Sequence, residues 1–299
     1  MELQSVDPCL HGAYRKLLRA RELATQIETE VLRVTVLERP TLEYERLEDG
    51  RLHQWRIHGL SDLDPMFPLW VGDCFHNYRT VLDHIAWLLV ELTGKQPSIR
   101  TKFPLTPDDS QGEQLTVDPS IPPGHRVNEV VKLAREIMSG QGEHASLAHL
   151  SRLDNADKHQ VLLLSGARLS YATLEFPDSS LTLPSFANGN RLSDGSIVVI
   201  AHDAELGHHD VPVELELIVR LDDAHQRITR QPATDPVPPH PQSVLPLIDS
   251  VDGEIATQLL PKAAEILALD HAHDAQGNRN FLRIPRRYFP SGELGAPSH

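Results

Sequence analysis

The chain has 299 residues, 40% of them hydrophobic and 23% charged, which excludes a wholly disordered protein. Aromatic residues make up 5%, so the core rests on Leu, Val, Ile and Ala. With 28 basic and 42 acidic residues the net charge is -14, a field that repels phosphate backbones and anionic lipid and excludes broad, sequence-independent DNA coating.

Cys9 and Cys74 are the only cysteines, far apart and without a CxxC, so a disulfide framework and a cysteine zinc site are both excluded. The first twenty residues, MELQSVDPCLHGAYRKLLRA, have no apolar run of the signal-peptide kind. No stretch approaches the length of a membrane span. The expectation is a cytoplasmic protein with no membrane partner.

In chain order, residues 8–38 follow a helical period through Leu10, Tyr14, Leu17, Leu18, Ala24, Ile27, Val31 and Leu32. Residues 41–58 switch to a two-residue period around Asp49-Gly50, which predicts a two-stranded β-hairpin inserted between helices. Residues 67–93 are a second long helix ended by Gly94, and 95–124 read as a loop. Two shorter helices, 125–138 and 144–160, complete a helical domain over 1–160. A β-rich part over 161–230 follows, then a Pro-rich linker at 231–242, a closing helix at 243–269 and an irregular tail at 270–299. The two halves are expected to share a core, so the fold class is α+β.

The most informative segment is DCFHNYRTVLDHIAW, 73–87. At about 100° per residue, Cys74, Phe75, Tyr78, Val81, Leu82, Ile85, Ala86 and Leu89 form one apolar arc. Asp73, His76, Arg79, Thr80, Asp83 and His84 form the opposite one. Residues 70–90 hold no Glu and no Lys, the usual decoration of a solvated helix. His, Asn, Arg, Thr and Asp suit a hydrogen-bonded network instead.

A second polar cluster lies in LAHLSRLDNADKHQVLLL, 147–164. Asp157 projects between Leu150 and Leu153 on the apolar side, where a carboxylate needs a partner. Asn155, Lys158 and His159 surround it. Asp157 is therefore expected to face Arg79, His76 or His84 and to join the two clusters into one site. The bland account of the same contact is an interhelical salt bridge.

Arg79 and His84, with four residues between them in RTVLDH, resemble the Arg-x(4–6)-His signature of HEPN domains, with Thr80 where that pattern often carries Asn. The segments HNYRTVLDH and NADKH also resemble a set of bacterial proteins with no assigned activity. HEPN proteins are helical bundles, and many are metal-independent endoribonucleases that act as dimers. The resemblance implies an RNA substrate and a homo-oligomer. His84 would move the proton of a ribose 2′-hydroxyl or of the leaving oxygen, Arg79 would stabilise the phosphate, and Asp83 or Asp157 would orient the ring. Catalytic candidates are thus Arg79, Asp83, His84, Asp157 and His159, with His76, Asn77, Asn155 and Lys158 as binding residues. The alternatives are a non-catalytic binding or oligomerisation module whose polar clusters hold helices in register, and a metal-dependent hydrolase. Against a metal, Arg79 sits amid the would-be ligands and no HExxH is present. No nucleotide-binding glycine motif occurs, so no cofactor is expected.

Overall fold

A computed structural model describes residues 8–38, 40–47, 52–105, 116–141, 146–159, 165–176, 179–183, 193–202, 213–221 and 243–275; the side chains of 155–159 are outside that description. A 3-10 turn, Pro8–Leu10, leads into α1, His11–Leu32, which continues through a π turn, Arg33–Leu37. Strands β1, Thr41–Arg46, and β2, Leu52–His58, pair antiparallel, Thr41 opposite His58 and Arg46 opposite His53. Helix α2, Phe67–Glu91, follows with Pro in its first turn, where a missing N–H is harmless. Next come α3, Glu129–Gln141, and α4, Ser146–His159. The last helical stretch is α5, Val244–Glu254, running through a π turn, Ile255–Leu259, into α6, Leu260–Ala275. The fold is mixed α+β, with helices predominating.

Strand β3, Ser165–Phe176, pairs antiparallel with β4, Ser179–Leu183, and with β6, Val213–Leu221. Strands β3, β4 and β6 in the middle of the chain are described as backbone alone. The side chains of the β-rich part expected over 161–230, and the linker and tail at 231–242 and 276–299, lie largely or wholly outside the described residues. The expected hairpin is not an isolated two-stranded excursion: β2 also pairs antiparallel with β5, Ile197–His202. Ser193–Ser196 turns tightly into that strand. Gly195 adopts a φ of 79°, its N–H donates to the Ile57 carbonyl at 2.8 Å, and Asp194 accepts the Gly59 N–H at 2.7 Å.

Helix α2 is the hub. It packs along α1 and also meets α4, α5 and α6. Its whole expected apolar arc, Cys74 through Leu89, is fully buried. Among the described residues no helix is long and apolar enough to cross a membrane.

The expected loop over 95–124 has a structured inner course. Thr101, Phe103 and Leu105 are buried while Lys102 is exposed, the two-residue alternation of an extended segment. Buried Asp118 accepts the Thr101 hydroxyl at 2.6 Å and the Ser120 N–H at 2.9 Å, and the Ser120 side chain, then the Thr101 hydroxyl and the Ser120 N–H, hold its carboxyl below the usual carboxylate range. Asn128 has no solvent exposure. Its Oδ1 accepts the Val117 N–H at 3.3 Å, and its Nδ2 donates to the Pro122 carbonyl at 2.9 Å and the Pro123 carbonyl at 3.3 Å. One side chain thus ties together three backbone groups; the Val117 N–H depends on it, whereas the Pro122 carbonyl also accepts the His125 N–H at 2.9 Å. Asn128→Ala should therefore cost about 1–3 kcal/mol of stability, chiefly by orphaning the buried Val117 N–H. Denaturant unfolding reads this directly, and an unchanged midpoint would contradict it.

Candidate functional site

Arg79 is buried, and three of its five N–H donors are committed. Its Nη2 donates to the Phe103 carbonyl at 2.7 Å and to Asp83 Oδ1 at 3.0 Å, and its Nε reaches Asp83 Oδ2 at 3.4 Å. Asp83 Oδ1 in turn accepts the Phe103 N–H at 3.0 Å. Both polar groups of one main-chain residue are therefore held by two side chains one turn apart on α2. An extended segment normally gains such bonds from a neighbouring strand. Here Arg79 and Asp83 replace that strand, and the Phe103 ring, 1% exposed, is locked into the core.

His76 engages a different neighbour. Its Nδ1 lies 2.9 Å from Asp154 Oδ1 on α4. A carboxylate only accepts, so Nδ1 carries the proton and Nε2 is left for other contacts. The carboxylate is 5% exposed and the imidazole 44%. Asp154 is the buried acid that the sequence reading missed. The buried line of α4 runs Leu147, Leu150, Asp154, an i, i+3, i+7 series, rather than through Leu153, which is only partly buried. The side chains of Asn155, Asp157, Lys158 and His159 lie outside the described residues, so the expected Asp157 contact does too.

His84 engages a third neighbour, the first turn of α1. A Cβ on Gly12 would come within 3.2 Å of His84 Nδ1, so glycine there lets the ring lie directly on the helix. His84 nonetheless keeps an exposed surface. Partial burial, reinforced by the positive charge of Lys16, pushes its pKa below the ordinary 6.5. Lys16 Nζ also reaches Asn77 Oδ1 at 3.4 Å, while Asn77 Nδ2 donates to the Asp73 carbonyl at 2.7 Å. Thr80 spends its hydroxyl on the His76 carbonyl at 2.8 Å.

The described contacts thus fasten His76 to α4, Arg79 and Asp83 to the 101–105 segment, and Asn77 and His84 to α1. Three of the five Arg79 N–H donors are spent on Asp83 and the Phe103 carbonyl, and those on Nη1 have no partner among the described residues. Among the described residues no group of three or more His, Cys, Asp or Glu converges to hold a metal ion.

A further polar junction carries no sequence motif. Arg21 on α1 makes a two-pronged bond to Asp252 on α5, both at 2.8 Å, and the Tyr78 hydroxyl donates to the same carboxylate at 3.2 Å. Burial pushes the Tyr78 phenol and the Cys74 thiol up, so both stay neutral. Arg21 and Asp252 are 231 positions apart, and no local signal couples them.

His84 gives a pH test. With its folded pKa depressed, the unfolded chain binds the proton more readily below pH 6.5. The contribution is present above that pH and is lost as pH falls below it. NMR titration should place the His84 midpoint below 6.5, and Lys16→Gln should move it upward. A midpoint at or above 6.5 in the unaltered protein would contradict this.

No family model, curated protein or solved structure matches the chain.

Proposed function

We propose that this protein is a non-catalytic binding and oligomerisation module in which the polar residues of α2 fasten neighbouring segments in register. The observation that carries this reading is the bonding of Arg79. Its guanidinium is buried, and it is shared between Asp83 and the Phe103 carbonyl. A group that stabilises a transition-state phosphate needs donors aimed at open space, whereas three of the five here are aimed at a carboxylate and a main-chain carbonyl. His76 with Asp154, and His84 against Gly12, repeat the pattern of one polar side chain per packed neighbour.

The metal-independent endoribonuclease reading keeps one observation in its favour. His84 is exposed, is held neutral near physiological pH, and has Lys16 beside it, as a general base next to an anion would need.

Incubation of the purified protein with single-stranded RNA in EDTA separates the two. The module reading expects no cleavage. It also expects Arg79→Ala to lose about 2–3 kcal/mol of stability, because the Phe103 carbonyl and Asp83 lose a charged donor. Arg79→Lys should recover only part of it, since an ammonium lacks the planar fork. Cleavage leaving 2′,3′-cyclic phosphate ends would overturn this reading, provided the rate falls about 10²-fold in a stably folded His84→Ala variant.

A further inference from the structure

We draw no further inference here: the strongest candidate, the surface patch where α1 ends and α2 begins, with Val36, Leu37, Met66 and Leu69 exposed, is an unpartnered apolar face, and nothing in the structure shows what covers it.

Discussion

An extended segment that buries its side chains must still satisfy its backbone, and at Phe103 that demand falls on Arg79 and Asp83 of α2. The spacing suits it: residues four apart lie one above the other on a helix, so a base and an acid there make a fork with a donor and an acceptor side by side. That fork holds one peptide edge of the 101–105 segment. Phe103 can then enter the core, and the path onward to Asp118 and Asn128 is set. The rest of α2 follows the same logic toward other neighbours, with His76 on Asp154 and His84 on Gly12.

This arrangement explains why α2 lacks Glu and Lys between residues 70 and 90. Long flexible side chains are poor at fixing a neighbour at one distance. Short Asp and ring-shaped His lose less freedom when ordered, and the planar Arg fork loses less per hydrogen bond formed. The same requirement accounts for Asn128 and for the Arg21, Tyr78 and Asp252 junction, each built from groups with fixed donor geometry.

The helices were legible because their apolar periods are long. The arc from Cys74 to Leu89 is buried as its spacing dictates, and the polar stretch opposite it is a bonded network. Asp154 was passed over because Leu153 seemed to continue the line of Leu147 and Leu150; a small difference in phase decides which of two neighbours is buried. The 101–105 segment alternates plainly, yet an alternation of five residues among prolines reads as loop until its partner is known, and that partner is a helix rather than a strand. The pairing of β2 with β5 and of Arg21 with Asp252 joins positions far apart in sequence, where local pattern carries no information.

The central claim is that Arg79 and Asp83 are there to hold the backbone of residue 103. The amide of Phe103 reports on this directly, since its hydrogen bond goes to Asp83 and to no strand. Native-state hydrogen exchange followed by NMR should find that amide strongly protected in the unaltered protein. In Arg79→Ala its exchange should speed up by at least about 10², while core amides of α2 such as Leu82 slow-exchange as before, the mark of a local opening. A Phe103 amide that exchanges freely in the unaltered protein, or that is indifferent to the loss of Arg79, would contradict the account.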